Sequence, residues 1–462
     1  MARRGLVQGR RILLGLWLAV PLGSGLPVLA QDEAVAEEAP AAAGERSFEL
    51  RFRVEGKANF RSSDENRFAF APVPELGLPP GTRIFLETVD EGSHLELSTV
   101  TLYVDAEWGE SLAAHIKVDG IDLYDRNPTS EDYRFDVDEA WVRFGRASEP
   151  AILPEKAAAY LKVGKMPKFE RQNDRHLESY GLVSTAFNRF EDFGVELGVD
   201  LGRYLYLRGS YTTGNPLFFR DPNALAGDNG TPSSTSAREE PALKSGFPIL
   251  YDAEIEDFDT SGEMETGAGL GFRAANADGS RGMDVLLWGY RRDLADKVTL
   301  HGTIYGGDLD LLNGPLDIHP LLGLDGRKKE EFGANLWLYL DGFSFFGQYV
   351  DQEIAGLPRT GYEGEVAWRF DLPVVWGLAG QQLFPSIQPA VRYSKLEPEF
   401  RASTFFPPKS ITWEWDKLDY GVRIGIVSGI DLTLEYADNS FTTASGAELE
   451  NNELLVTLRF KK

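Results

Sequence analysis

The chain repeatedly alternates apolar and polar residues one by one, and this pattern constrains its fold more than any other feature. In the last stretch, one face carries Leu454, Val456, Leu458 and Phe460 and the other carries Glu453, Leu455, Thr457 and Arg459. Successive side chains of a strand point to opposite faces, so such a strand has one apolar and one largely polar face. Similar runs occur at 48–55, 100–108, 112–119, 192–200, 417–426 and 431–436. Many of them approach the ~9–11 residues of a tilted membrane strand, which predicts a closed transmembrane β-barrel.

The connections between these runs set the orientation of the predicted barrel. Four are tight turns: Gly109-Glu110, Leu201-Gly202, Asp341-Gly342 and Ser428-Gly429. The others are long, at 57–94, 122–136, 166–190, 214–246, 307–330, 396–416 and 439–448. Outer-membrane barrels keep short turns in the periplasm, so we expect both termini there. The fold class is therefore all-β: a transmembrane antiparallel up-and-down β-barrel of roughly 16–18 strands, with Phe247 to Phe258 as an additional strand.

The first thirty residues have the three parts of a secretion signal. Arg3, Arg4, Arg10 and Arg11 form the basic start, Ile12 to Val20 the apolar core, and Val28-Leu29-Ala30 the cleavage site. The segment 31–46 is rich in Ala and Glu and lacks apolar periodicity, which predicts a disordered acidic tail. We therefore expect a signal peptide at 1–30 cleaved near Ala30, a tail at 31–46, and an outer-membrane barrel at 47–462 in a Gram-negative cell.

The composition argues against several classes of function. There is no Cys, which excludes disulfides, thiolate catalysis and Cys-ligated metals. The five His form no metal-spaced pair and no G-x-S-x-G motif occurs, so we expect neither an enzyme nor a cofactor. The net charge of −25 becomes more negative once the four Arg of the signal are removed, which disfavours nucleic acid as a partner.

Between 138 and 214 the order of motifs matches a known pattern. DEAWVRFG at 138–145 and YLKVGKMPKFE at 160–170 precede RFEDFGVELGVDLGRYLYLRGSYTTGN at 189–215, a hairpin with a two-residue turn. This stretch resembles the phosphate-selective O/P-type porin family of bacterial outer membranes. The resemblance implies a trimeric porin of about 16 strands whose third loop folds inward, in a family that selects anions through inward Arg and Lys.

The first candidate for a functional site is the predicted loop Lys165 to Phe190. Its basic residues include Lys165, Lys168, Arg171, Arg175 and Arg189, set against the acidic residues Glu170, Asp174 and Glu178. Folded into the lumen, such a loop would narrow the pore, and its fixed charges would decide which ions pass. The alternative is an external loop whose charges are solvated.

The second candidate is the polar face of the predicted strands. The residues expected to face the lumen include Arg51, Arg53, Lys117, Arg143, Lys162, Arg208 and Arg423, opposed by Glu49, Glu55, Asp119, Glu139, Asp192, Glu196 and Asp431. Opposed rows of charge would make a transverse field that passes small polar solutes. The alternative is that these side chains only satisfy one another across neighbouring strands.

These features predict a porin that lets small polar or charged solutes diffuse through a water-filled barrel, filtered by a charged inward-folded loop. One alternative is a substrate-specific channel or exporter for an anion such as phosphate. Another is a non-conducting receptor, adhesin or scaffold, which a lumen filled by Trp141, Trp337 and Phe346 would favour. The expected partners are outer-membrane lipid, the permeating solutes, the outer-membrane assembly machinery through the C-terminal strand and, from the resemblance, two further copies in a homotrimer.

Overall fold

The structure of the protein is a computed structural model. It describes the chain from Phe48 to Lys462, apart from residues 65–67, 71–78, 82, 87–91, 122–134, 147–157, 173–174, 188–190, 215–237, 240–241, 246–248, 253–263, 277, 295–297, 302–308, 311–327, 379, 400–412 and 444–445. The predicted signal peptide and acidic tail lie outside these described residues, and they stay predictions.

Sixteen long strands form the main sheet. They are β1 Phe48–Ser63, β2 Gly92–Trp108, β3 Leu112–Ile121, β4 Phe135–Gly145, β5 Ala159–Pro167, β6 Glu191–Leu201, β7 Leu205–Thr212, β8 Glu265–Ala275, β9 Arg281–Asp293, β10 Lys328–Leu340, β11 Phe343–Ile354, β12 Leu357–Trp368, β13 Ser386–Pro398, β14 Glu414–Val427, β15 Ile430–Thr442 and β16 Glu453–Lys461. Two short pieces, Phe370–Asp371 and Glu448–Glu450, pair with the ends of β13 and β15.

The sheet closes on itself. Each strand pairs antiparallel with the next along the chain, and β1 pairs with β16 through the register Phe60↔Val456 and Ala58↔Leu458. At this seam the ring of Phe460 covers Gly56, where a Cβ has no room. Closure leaves no free edge, which is what a sheet in lipid requires. The predicted closed antiparallel barrel of 16–18 strands is confirmed, with 16 strands.

The connections divide the barrel into two ends. The turn end holds the short links at 109–111, 202–204, 276–280, 341–342 and 428–429, together with the starts of β1 and the end of β16. The loop end holds most of the long connections and one tight turn, Ala355-Gly356, whereas the longer link 369–385 between β12 and β13 lies at the turn end. The prediction that Phe247 to Phe258 adds a barrel strand is wrong. Its described part, Ile249–Asp252, pairs with Val298–His301 in a separate small sheet, because an alternating run does not say which sheet it joins.

The two faces of the wall differ as the alternation predicts. On β16, Leu454 and Leu458 are 42% and 48% exposed on the outside, whereas Glu453 and Leu455 on the inside are each 1% exposed. The same outward apolar row recurs on the other strands and suits contact with lipid. Within the described residues, no helix is both long enough and apolar enough to cross a membrane.

Placing a charge on the outward face should destabilise the barrel. Leu434 of β15 lies on that face, paired with Val422 and Val456. Leu434→Arg is expected to lower the free energy of unfolding by about 2–4 kcal/mol, because the guanidinium must sit in hydrocarbon. Urea unfolding in liposomes measures this change, with Leu434→Ala as the uncharged control. A loss no larger in the Arg variant than in the Ala variant would contradict the lipid-facing assignment.

Candidate pore constriction

The connection between β5 and β6 crosses the inside of the barrel. At its far reach the carbonyl of Tyr180 accepts a hydrogen bond from Lys417 of β14 at 2.5 Å. The amide of Leu182 donates to Ser394 Oγ of β13 at 3.2 Å. In a ring of sixteen strands β5 and β13 stand on opposite sides. The described residues 168–172 and 175–187 therefore form a loop folded into the lumen, which we call the inner loop.

Buried carboxylates of the far wall anchor the inner loop by accepting its backbone amides. Glu435 of β15 accepts from the amides of Glu178 at 2.8 Å and Ser179 at 3.3 Å. Glu365 of β12 accepts from the amide of His176 at 2.9 Å and contacts its Nδ1 at 2.8 Å. Charge-assisted hydrogen bonds of this kind are about twice as strong as neutral ones. A loop with little regular structure can stay inside the barrel because its polar groups are paired there.

Apolar packing fills the side of the lumen behind the inner loop. The loop contains one short helix, α1 Leu182–Ala186. The loop residues Leu182, Val183, Ala186 and Phe187 are fully buried. They belong to a cluster of wall residues that includes Leu286, Trp288, Val350, Leu357, Leu396, Trp413, Trp415 and Phe441. Trp337 packs against this cluster and Phe346 is buried. Trp141 lies elsewhere, stacked on His115 with ring centres 5.1 Å apart. The aromatic filling thus occupies the side behind the loop.

An open cavity of about 320 Å³ lies on the other side of the inner loop. The loop contributes Arg171, Arg175 and Tyr180, and the facing wall contributes residues of β1, β2 and β3 such as Lys57, Tyr103 and Lys117. We call this opening the eyelet. In the described residues, the inner loop and its apolar packing leave this space beside strands β1 to β3.

The eyelet is rich in positive charge although the chain as a whole is acidic. Its lining contains seven basic residues, Lys57, Lys117, Arg171, Arg175, Arg423, Arg459 and Lys461, and three acidic ones, Glu55, Asp119 and Glu178. Each acid has a basic partner: Glu55 lies 3.2 Å from Lys461 and Asp119 lies 3.2 Å from Lys117. Fixed charges in a narrow passage with low-dielectric walls act strongly on passing ions. Basic side chains therefore outnumber acidic ones at the lining itself, while Asp138, Glu191 and Asp431 behind it pair with Lys117, Arg171 and Arg459.

Glu178 ties the inner loop to the wall across the eyelet. Its carboxylate lies 3.2 Å from Lys57, 3.0 Å from Arg423 and 3.5 Å from Arg459. Burial alone would raise the pKa of Glu178, but these cations outweigh burial and hold that pKa well below its usual range. The ion pairs therefore persist at neutral and mildly acidic pH.

Three of the predicted loop residues lie in or beside the lumen with different partners. Lys168 is buried at the base of the loop, paired with Glu265 and 3.4 Å from Asp192. Burial would lower the pKa of Lys168, but the neighbouring carboxylates raise it above its usual range. Arg171 pairs with Glu191, and Arg175 holds its guanidinium 3.7 Å from the ring centre of Tyr180. Arg171 and Arg175 line the eyelet, whereas Lys168 fastens the loop to the wall.

Lys165 does not belong to this group. It lies on β5 in the outward row with Leu161 and Val163, and its Nζ donates to the carbonyl of Val137 at 2.7 Å. Its assignment to the pore is therefore corrected, since strand alternation fixes its face. Arg189, also predicted to lie in the constriction, is outside the described residues.

The predicted wall residues are brought to the lumen but mostly pair with neighbours. Arg51 is exposed near the turn end and pairs with Glu49 at 2.5 Å. Arg53 lies 4.0 Å from the ring centre of Tyr103, and Arg208 lies 3.6 Å from Asp200. Glu196 accepts from Tyr160 and lies 3.5 Å from Lys162, whose strand neighbour in register is Arg143. The cross-strand alternative describes most of these residues: Arg53 and Tyr103 are register partners on β1 and β2, and Lys162 and Glu196 are register partners on β5 and β6. Tyr103 also lines the eyelet.

Sequence reasoning missed two of the residues that line the eyelet. Lys57 falls within the stretch predicted as a long connection, but β1 continues to Ser63 and places Lys57 on the inward face. The small residues Gly56 and Ala58 on either side weaken the apolar alternation there, which hides the strand. Arg459 was recognised as polar-facing, but its pairing with Glu178 depends on a loop 281 positions earlier in the chain.

The comparisons with known proteins support the fold. No protein-family model matches this sequence, and no curated protein sequence matches it. Among solved structures, OprB of Pseudomonas putida has 8% identity over 89% of this chain and 94% of its own, with a TM-score of 0.51. The outer membrane channel DcaP of Acinetobacter baumannii has 10% identity over 91% and 100%, with a TM-score of 0.49. A trimer form of OmpT, an outer membrane protein of Vibrio cholerae, has 12% identity over 90% and 100%, with a TM-score of 0.46.

The likeness extends over nearly the whole barrel. At 8% identity the match to OprB shows a shared fold and nothing finer. Together with the closed sixteen-stranded sheet, the match shows that this chain and OprB share an antiparallel barrel fold. The match does not show that the chain belongs to the phosphate-selective O/P type that its sequence resembles.

The depressed pKa of Glu178 has a testable consequence. Glu178→Gln removes a buried charge facing three cations, and the variant should lose roughly 3–5 kcal/mol of unfolding free energy at pH 7. A depressed pKa contributes stability above the group's ordinary pKa, and that stability is lost only as the pH falls through the lower folded value. The difference between wild type and variant should therefore be the same at pH 5 as at pH 7 and should shrink in stronger acid.

Urea unfolding at each pH measures this difference. Glu110→Gln, which breaks an exposed ion pair with Arg146, is the control and should change little. A difference that has already vanished at pH 5 would show that Glu178 is not held ionised by Lys57, Arg423 and Arg459.

Proposed function

We propose that the protein is an outer-membrane porin through which small polar or ionic solutes diffuse past the inner loop. The observation that carries this proposal is a lumen crossed by an anchored loop that leaves a charged opening beside it. A barrel of this width leaves room for an aqueous channel. The eyelet then acts as the filter, through its size and its fixed charges.

The proposal assigns roles to the residues of the eyelet. Arg171 and Arg175 on the loop, with Lys57 and Lys117 on the wall, set the local field. Lys168 and Glu178 hold the loop in place through buried ion pairs. The signal peptide at 1–30, the periplasmic position of the turn end, delivery by the assembly machinery through β16, and a homotrimer belong to the same proposal, as does the absence of an enzymatic reaction.

Single-channel recording in a planar bilayer tests conduction. Folded wild-type protein should give steady ohmic steps. A double variant with Arg175→Ala and Tyr180→Ala removes two side chains that line the eyelet, so its conductance and the size of the largest permeant neutral sugar should both increase. Arg146→Ala, at an exposed position of the turn end, is the matched control and should leave both unchanged.

The absence of steps from correctly folded protein would overturn the porin proposal and favour a receptor, adhesin or scaffold. If the double variant has the same conductance and the same largest permeant sugar as wild type, the eyelet is not where solutes are filtered. The proposal of a filter at this position would then be wrong, although the barrel would still conduct.

A second candidate function is a channel that prefers anions, phosphate among them. The excess of basic over acidic residues in the eyelet favours it, against the acidic composition of the whole chain. Under a salt gradient, the reversal potential of wild type should have the sign of anion preference, and a variant with Lys57→Glu and Arg175→Glu should move it toward cations. Inorganic phosphate should reduce the chloride current of wild type only.

The control for this experiment changes the same charges away from the eyelet. A variant with Arg146→Glu and Arg281→Glu alters two exposed residues at the turn end and should leave the reversal potential nearly unchanged. Cation preference in wild type would contradict the candidate. Anion preference without block by phosphate would support general anion passage and argue against a dedicated phosphate channel.

A further inference from the structure

One connection at the turn end is unlike its neighbours. The chain from β12 to β13 runs through residues 369–385, whereas the adjacent links at 341–342 and 428–429 have two residues each. Its described residues, 369–378 and 380–385, form a hairpin. The amide of Leu372 donates to the carbonyl of Pro385 at 2.8 Å, and the amide of Leu383 donates to the carbonyl of Trp376 at 3.0 Å. The strands Gly377–Leu378 and Gln381–Gln382 pair near its tip.

This hairpin extends beyond the rim of the barrel. On the side of β11, the amide of Arg369 donates to the carbonyl of Gly342 at 2.8 Å, in the turn that joins β10 to β11. On the other side, the amide of Phe384 donates to the carbonyl of Ile426 at 3.0 Å, just before the turn at 428–429. The two neighbouring hairpins end there. The segment between these two bonds therefore projects past them.

The projecting segment is apolar and exposed. Val374, Val375 and Trp376 are 75%, 68% and 63% exposed, among the most exposed large apolar side chains in the described residues. The neighbouring turns Asp341-Gly342 and Ser428-Gly429 are polar or small, as turns in water usually are. A contiguous exposed apolar patch of this kind marks a surface that contacts lipid or protein.

The patch continues the outward face of the wall. Val366 and Trp368 on β12 are exposed on that face, and Trp368 stacks on Phe370 with ring centres 5.4 Å apart. Leu372, Val374, Val375 and Trp376, which follow outside the strands, are exposed as well. The intervening Arg369 and Asp371 pair with each other at 2.9 Å. An exposed apolar segment thus follows directly on the lipid-facing row of the wall.

We propose that the hairpin at 369–385 lies in the interfacial region of the periplasmic leaflet, with Phe370, Leu372, Val374 and Trp376 in contact with phospholipid. Aromatic rings with a polar edge favour the level of the headgroups, which suits Trp368 and Trp376. Continuity with the outward face identifies lipid as the occupant. The inference rests on the outer-membrane location of the proposed function but not on conduction.

The absence of Cys allows a direct test in the full-length protein. Trp376→Cys provides a single attachment site for an environment-sensitive fluorophore after reconstitution into phosphatidylethanolamine and phosphatidylglycerol vesicles. The label should emit at shorter wavelength than in water, should be quenched by lipids that carry a nitroxide near the headgroup, and should be protected from aqueous iodide. Ser428→Cys, on the neighbouring exposed turn, is the matched control and should give the opposite result.

Two outcomes would overturn the proposal. A label at 376 that behaves as the label at 428 does would place the hairpin in water. A label shielded from iodide, not quenched by lipid, and cross-linked between protomers would identify a second copy of the chain as the occupant. Val374→Cys gives a second labelling site in the same exposed segment, in case loss of Trp376 disturbs the hairpin.

The same preparations separate this inference from the porin proposal. Electrophoretic mobility with and without heating verifies folding of each labelled variant, and planar-bilayer recording measures its conduction. A lipid-quenched label on a barrel that does not conduct would sink the porin proposal alone. A water-exposed label on a conducting barrel would sink the hairpin proposal alone.

Discussion

The whole structure depends on the pairing of β1 with β16. In lipid an unpaired backbone amide or carbonyl has no water to bind, so a sheet must close into a ring or be covered. Here the ring closes after sixteen strands. That width creates the interior in which the inner loop lies, and the alternation that gives each strand its lipid-facing row also gives the lumen its polar row. The site is thus a consequence of closure rather than a separate element.

The two sides of the inner loop differ in the kind of residues that fill the lumen. Behind the inner loop, apolar residues of the wall and of α1 pack as in a soluble protein core, and buried Glu365 and Glu435 accept the amides of the loop. In front of it, basic residues surround the eyelet. The acidic composition of the chain and the basic eyelet are compatible, because net charge is a property of the whole sequence, whereas an ion in a narrow passage responds mainly to the charges beside it.

Local pattern was enough to predict the barrel and the faces of most strands. Strand alternation needs only near neighbours, so Leu454 and Glu453 could be assigned from sequence alone. The alternation was missed around Lys57, where small residues interrupt the apolar row. Lys165 was assigned to a loop, whereas counting by two from Leu161 puts it on the outward face of β5. The anchoring of the inner loop could not be predicted, because it depends on pairs such as Ser179 with Glu435 that are far apart in the chain. No short-range signal encodes such a pair.

The ion pairs of Glu178 join the eyelet to the seam at which the barrel closes. Lys57 lies on the first strand and Arg459 on the last, so this one carboxylate binds both sides of the seam. Before the seam closes, Lys57 and Arg459 lie on separate ends of an open sheet, so Glu178 cannot bind both of them. Completing the wall therefore also completes the set of ion pairs around Glu178, and the inner loop acts as an internal clamp on the seam.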